Sequence, residues 1–186
     1  MHFLRLLRIF IPLLVIAAIV AGVVVVLTSR SELQDARRQV DAKWRPLRSA
    51  LDARYGTLTT ADNSVRSIPG PLHQIVTQID TAEARWRDLE SNGGSVSAEV
   101  SAANNLEALG RRLVLAARAA PRLKGNTAAL AALAAYAGAA PPAAPSVAFE
   151  AAVNHYERER TRPAKRFAAG ILGYESVPIY DASGSH

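Results

Sequence analysis

The sequence predicts an all-α protein, with an N-terminal transmembrane helix followed by an antiparallel four-helix-type bundle. Three observations carry this prediction. Residues 9–27 form an almost wholly aliphatic run without a single charge. From residue 29 onward, apolar residues recur every three or four positions, the period of a helix with one buried face. No segment alternates with the period of two that a half-buried strand requires.

The apolar run comes first. At about 1.5 Å of rise per residue, 19 helical residues span roughly 28 Å, close to the hydrocarbon thickness of a bilayer. Arg5 and Arg8 precede it, which also suits a secretory signal peptide. Such a peptide has an apolar core of about 7–15 residues and a small-residue cleavage site. Here the chain stays aliphatic beyond Ala21 through Val23, Val24, Val25, Val26 and Leu27, so an uncleaved single-pass anchor is expected. Pro12 falls near the start of the span, where its missing N–H costs little. Arg30, Arg37, Arg38 and Lys43 on the C-terminal flank outnumber the two N-terminal bases and favour a cytoplasmic domain. The bases nearest the span, Arg5 and Arg8, favour the opposite orientation. The reading adopted puts the domain outside the cytoplasm.

The remainder suits one domain at residues 29–174, with an irregular tail at 175–186 and the tail-plus-anchor segment at 1–28. The chain has no cysteine, which excludes disulfides, thiol chemistry and zinc–thiolate sites. Its net charge is +6, and arginine outnumbers lysine 19 to 3. This points to a GC-rich coding bias rather than to nucleic-acid binding, because acids and bases are interleaved. Residues 111–124 and 158–166 are the exceptions, each carrying five bases.

The elements follow in order. Leu33, Ala36, Val40, Trp44, Leu47, Leu51, Tyr55 and Leu58 form one narrow stripe over seven turns. Ser29 with Glu32 offers a capping box for a new helix, and continuation of the anchor as one rod is equally open. Asp41 with Arg45 and Arg48 with Asp52 are spaced for i,i+4 pairs, each adding about 0.2–0.5 kcal/mol. Pro46 is expected to bend this helix. Ile68-Pro69-Gly70-Pro71 stops it, and Pro71 suits the first position of a second helix. That helix carries Leu72, Ile75, Ile79, Ala82, Trp86 and Leu89. A loop at residues 91–95 leads to a third, with Val96, Val100, Ala103, Leu106, Leu109 and Leu113, ending before Pro121. Asn126 caps a fourth, Ala-rich segment at residues 127–136, expected to be the least stable. Residues 139–145 read as a Pro/Ala linker without packing residues, so deletion of residues 139–144 is expected to be tolerated. Ser146 caps a further helix with Phe149, Val153, Tyr156 and Arg160 in step. Pro163 opens a last short helical turn through Phe167, Ile171 and Leu172.

On these stripes the chain resembles the LemA family of single-pass bacterial membrane proteins. Val40, Asp41, Trp44, Leu51, Arg54 and Tyr55 resemble the family's Val, Trp and Arg-Arg-Tyr pattern in the first helix. Ala84-Arg85 resembles its alanine–arginine pair, and Asn105, Leu106, Leu109 and Leu113 its third helix. Pro121-Arg122-Leu123-Lys124-Gly125-Asn126 resembles a Tyr-Pro-x-Leu-Lys-Ala-Asn turn, the most specific match. Phe149 to Tyr156, Pro163 and Ala169 to Tyr174 resemble the last helix and terminus. The chain departs from the family at Gly56-Thr57-Leu58-Thr59-Thr60-Ala61, and its two Tyr-Asn pairs are Phe149-Glu150 and Tyr156-Glu157. The resemblance implies a bundle projecting from the bacterial cell envelope, with no established catalytic residue. It also implies an accessory role, since relatives are associated with envelope-stress proteases and membrane assemblies.

The residues themselves present no catalytic constellation. His155 and Glu159 share a helix face, but a third metal ligand is not visible. Ser95 reads as a helix start rather than a nucleophile, and the carboxylates as scattered over outer faces. Trp44, Trp86, Tyr55 and Tyr156 lie on the stripes and read as core. No cofactor, metal or nucleic acid is expected. The expected function is that of a non-enzymatic, membrane-anchored scaffold or adaptor. Its partners are the bilayer, a membrane protein and a second copy of the chain. The alternative is an anionic-lipid-binding surface module working through Arg158, Arg160, Arg162, Lys165 and Arg166; an unrecognised enzyme ranks last.

Overall fold

The computed structural model describes residues 2–182, apart from the side chains of residues 2–19, 21, 23, 25 and 164. The described residues form six α-helices and one 3₁₀ turn, with no strand among them. They are α1 (His2–Val65), α2 (Pro71–Ser91), α3 (Val96–Ala119), α4 (Thr127–Gly138), α5 (Ala143–Thr161) and α6 (Pro163–Leu172), with the 3₁₀ turn at Pro121–Leu123. The backbone of the predicted anchor at residues 9–27 is helical within α1, but most of its side chains, like those of Arg5 and Arg8, lie outside the described ones. Among the described residues no single helix is long and apolar enough to cross a membrane. The pair α4 and α5, bent by 46°, passes that test jointly on length and composition. Both helices, however, bury residues in the protein interior: Ala129, Leu133 and Tyr136 on α4, Phe149 and Val153 on α5.

Of the two continuations open at Ser29, α1 takes the unbroken one. Its helix also runs through Pro46, whose exposed position lets solvent satisfy the carbonyl that the ring leaves unpaired. All eight members of its predicted stripe are buried, and the stripe extends through Ala61 and Val65. The second and third stripes are likewise buried, except that Leu89 and Val96, at the loop between them, are half-buried. Helix ends follow local chemistry. Gly70 sits at φ 108°, a conformation that L side chains rarely adopt, and Pro71 starts α2. The Ser95 hydroxyl accepts the Ala98 N–H at 3.2 Å, and the Asn126 side chain accepts the Ala129 N–H at 3.0 Å.

Two expectations about the fourth stripe need correction. Residues 139–145 are not all linker, since α5 begins at Ala143 and Pro145 lies in its first turn, where no intrahelical N–H is required. Ser146 is therefore inside the helix, its hydroxyl donating to the Pro142 carbonyl at 2.6 Å, rather than at a cap. The connection also packs, because the Ala139 carbonyl accepts a hydrogen bond from the Arg54 guanidinium.

The contacts divide the chain into two compact units. Val40–Val153 with Val177–His186 forms the larger. In it α2 runs antiparallel to α1, pairing Asp52 with Trp86, Thr59 with Glu83 and Arg66 with Asp80. Helix α3 runs parallel to α1, pairing Trp44 with Glu99 and Arg54 with Glu107. An aromatic cluster lies at the centre: Trp44 meets Trp86 edge-on at 6.4 Å and Phe149 at 5.1 Å, and Tyr55 meets Trp86 at 5.3 Å. Residues 177–182 have no helix or strand, yet Val177 and Tyr180 are buried, and Asn104 clamps the segment through the Ile179 carbonyl and the Asp181 N–H.

Met1–Gln39 with Asn154–Ser176 forms the other unit. The Arg37 guanidinium lies over the Tyr156 ring at 5.8 Å, and Lys165 pairs with Glu32. Tyr156 donates to the Glu175 carbonyl at 2.8 Å, and Gly173, at φ 71°, closes α6 with Tyr174 N–H bonded to the Ala169 carbonyl.

Candidate interaction surfaces

The interior of the larger unit holds a charged network that the apolar stripes do not announce. The Arg54 guanidinium makes a two-point pair with Glu107, Nε to Oε1 at 2.7 Å and Nη2 to Oε2 at 3.0 Å. Glu107 is fully buried, and Tyr180 donates to its Oε1 at 3.1 Å. The same guanidinium lies over the Tyr136 ring at 4.6 Å. The ring fits there because position 110 is glycine: a Cβ would stand 2.0 Å from the Tyr136 hydroxyl oxygen. Burial, reinforced by the Glu107 charge, pushes the Tyr136 phenol up to about 12 and raises Tyr180 as well. Both phenols stay neutral: Tyr180 donates to Glu107, and the Tyr136 hydroxyl is buried with no hydrogen-bond partner among the described residues.

A second buried carboxylate, Glu99, accepts from the Trp44 indole N–H and pairs with Arg48 at 3.3 Å. Arg48 also reaches Glu90 at 3.2 Å. The expected Arg48–Asp52 helix pair is thus replaced by contacts between helices, and Asp52 instead accepts from Trp86 Nε1 at 2.9 Å. A third group joins Asp62, Arg66 and Asp80, with Arg66 2.7 Å from each acid. Asp62 is buried, and its Oδ1 has no hydrogen-bond partner among the described residues. Burial pushes its carboxyl up to about 6, helped by Asp80 and Glu83 and opposed by Arg66.

The carboxylates are therefore not confined to outer faces as expected. Asp62, Glu83, Glu99, Glu107 and Glu159 are all buried. A signal was present in part: Ala103, Glu107 and Gly110 share one face of α3, where two small residues flank an acid and leave room for an incoming cation. The structure also seats the other singled-out residues. Val40, Trp44, Leu51, Tyr55, Trp86, Leu123 and Tyr156 are core, whereas Pro121 and Lys124 are exposed and Asn126 is the α4 cap. Among the described residues no group of three or more metal-ligating acids, histidines or cysteines converges, and Glu159, the partner considered for His155, is engaged by Arg162 and Lys165.

The basic run at 158–166 is more paired than its composition suggests. Arg160 meets Glu157 at 2.7 Å, Arg162 meets Glu159 at 3.0 Å, and Lys165 bridges Glu159 and Glu32. Arg158 is exposed and donates to the Asn154 carbonyl; Arg166 is exposed and has no ion pair among the described residues.

The larger unit also has open surfaces. A cleft of about 480 Å³ beside the two proline turns is lined by Ile68, Leu72, Ala116, Pro121 and their neighbours. A groove of about 630 Å³ runs between α2 and α3, lined by His73, Gln78, Arg85, Asn105 and Arg112. Arg85 and Asn105, taken from separate helices by the family resemblance, meet in this groove. Comparison of the chain with models of known families, with curated proteins and with solved structures gives no match.

Proposed function

We propose that the protein is a single-pass membrane protein of the LemA type whose helical domain acts as a non-enzymatic scaffold or adaptor for a membrane-protein partner. The observation that carries this reading is the contrast between the interior and the α2–α3 groove. The buried acids Glu99 and Glu107 are engaged by Trp44, Arg48, Arg54 and Tyr180, and so serve the fold. Arg85, Asn105 and His73 stand exposed along the groove, where a partner helix or loop can reach them. The apolar run at residues 9–27 supports the anchor, and the order of motifs from Val40 to Tyr174 supports the family reading.

In this reading residues 9–27 hold the domain at the membrane and outside the cytoplasm, so the partner is met on that side. Proximity labelling with the full chain, against residues 1–28 fused to an unrelated domain, tests it. A defined set of membrane proteins is expected, and it shrinks when Arg85→Glu and Asn105→Lys are combined. Recovery of the same bulk membrane proteins as the anchor-only control overturns the scaffold. Ser91 is exposed and the chain has no cysteine, so Ser91→Cys reports the side. An impermeant maleimide is expected to label it in intact cells.

A further inference from the structure

Helix α6 packs with its smaller side chains inward. Ala168 and Ala169 are buried, whereas Phe167 is 66% exposed and Ile171 62%. With Pro163 and Gly170, also exposed, these residues follow the i, i+4, i+7, i+8 spacing of one helical face. An apolar stripe two turns long thus looks away from the protein. The sequence places a short helical turn through Phe167, Ile171 and Leu172, and in the structure it is the alanines that face inward, their small size letting α6 approach closely.

The stripe has a defined neighbourhood. Arg162 and Arg166 are exposed beside it, one turn apart. Lys165, on the inward side, pairs with Glu32 of α1. Glu32 lies five residues beyond Leu27, the last residue of the aliphatic run, a rise of roughly 7.5 Å along a helix. The headgroup layer adds roughly 5–8 Å on each side of the hydrocarbon core, and interfacial amphipathic helices sit at the boundary between that layer and the acyl chains. Within its own unit, α6 is therefore held at the height of that boundary if residues 9–27 span the bilayer.

We propose that α6 is an interfacial helix. Phe167 and Ile171 insert into the leaflet surrounding the anchor, and Arg166, with Arg162, meets the phosphates of anionic lipids there. This rests on the anchor described above and extends it: the bilayer is a surface on which the domain is seated as well as a tether. The occupant is lipid because Lys165 ties α6 to Glu32, five residues beyond the aliphatic run, and the polar flank of the stripe is cationic.

The test uses the full chain in proteoliposomes, with an environment-sensitive fluorophore on Phe167→Cys, Ile171→Cys or Leu115→Cys. Leu115, on α3, is as exposed as Phe167 and serves as the aqueous control. The vesicles are phosphatidylcholine with or without phosphatidylglycerol, and with or without brominated acyl chains. Labels at 167 and 171 are expected to shift to the blue and be quenched by the brominated chains, while the label at 115 does neither. Phosphatidylglycerol enlarges the shift, and Arg166→Glu removes that enlargement. A chain that resists carbonate extraction yet keeps the label at 167 in water overturns the inference and leaves the anchor standing. A chain stripped from the vesicles by carbonate overturns both. A blue shift that follows the protein-to-lipid ratio and ignores brominated lipid assigns the face to a second copy, which also overturns the proposal.

Discussion

Arg54 and Glu107 show how one charged pair organises a helical interior. Taking two ions out of water is costly, and the cost is offset here by two parallel hydrogen bonds, a Tyr180 hydroxyl and the face of Tyr136. Glu107→Ala leaves the guanidinium buried without its counter-charge and is expected to cost about 3–5 kcal/mol in chemical denaturation. Arg54→Met combined with Glu107→Leu should recover most of that loss. A double variant as unstable as the sum of the two single variants would show that the pair is not coupled. Asp62 makes a prediction in pH. Burial pushes its folded-state carboxyl up to about 6 from the ordinary 3.8, so the native state holds the proton more tightly than the unfolded chain. Stability contributed by the protonated form is therefore present at low pH, is lost as pH rises between about 4 and about 6, and is absent above. Asp62→Asn removes this dependence. The melting temperature of the variant relative to the parent should be level below pH 4 and rise to a plateau above pH 6, with Arg66 still held by Asp80. A difference that is constant with pH would show that Asp62 ionises normally.

Between helices, the informative segment is the bend from α4 to α5. Residues 139–142 interrupt the helical hydrogen bonding, but the Ala139 carbonyl is a partner of Arg54, and Ala143 and Ala144 begin α5. Deleting residues 139–144 removes this acceptor and the first turn of α5, and displaces Phe149 from Trp44. A loss of several kcal/mol in urea unfolding is expected, since Phe149 is fully buried in the aromatic cluster and its removal alone is worth about 3–5 kcal/mol. An unchanged midpoint would return the segment to the status of a spacer. Helix α4 itself buries only Ala129, Leu133 and Tyr136, with Leu130 left exposed, so its hydrogen-exchange protection should be the lowest of the helices in the larger unit.

Across the full chain, α1 joins the aliphatic run to the amphipathic stripe without a helical break. The buried stripe starts at Leu33, downstream of the run. A chain of residues 29–186 should therefore fold without detergent, with a helical circular-dichroism spectrum and a cooperative melt. Aggregation or a non-cooperative melt would show that residues 1–28 stabilise the fold as well as tether it.

The helix boundaries between Ile68 and Asn126 and the inward faces of the first three helices were readable from the chain because both depend on local properties: proline and glycine at the breaks, caps at Ser95 and Asn126, and a period of 3.6 along each stripe. The charged interior was not readable to the same extent. Glu99 and Glu107 border apolar stripes, and a bordering acid is buried when an indole or guanidinium from another helix arrives to replace its water. That requires Trp44, Arg48 and Arg54 to be brought some fifty residues across the chain, which no local period encodes. The same holds for α6. Its amphipathicity is written in its residues, but which face turns inward followed from the close approach that Ala168 and Ala169 allow.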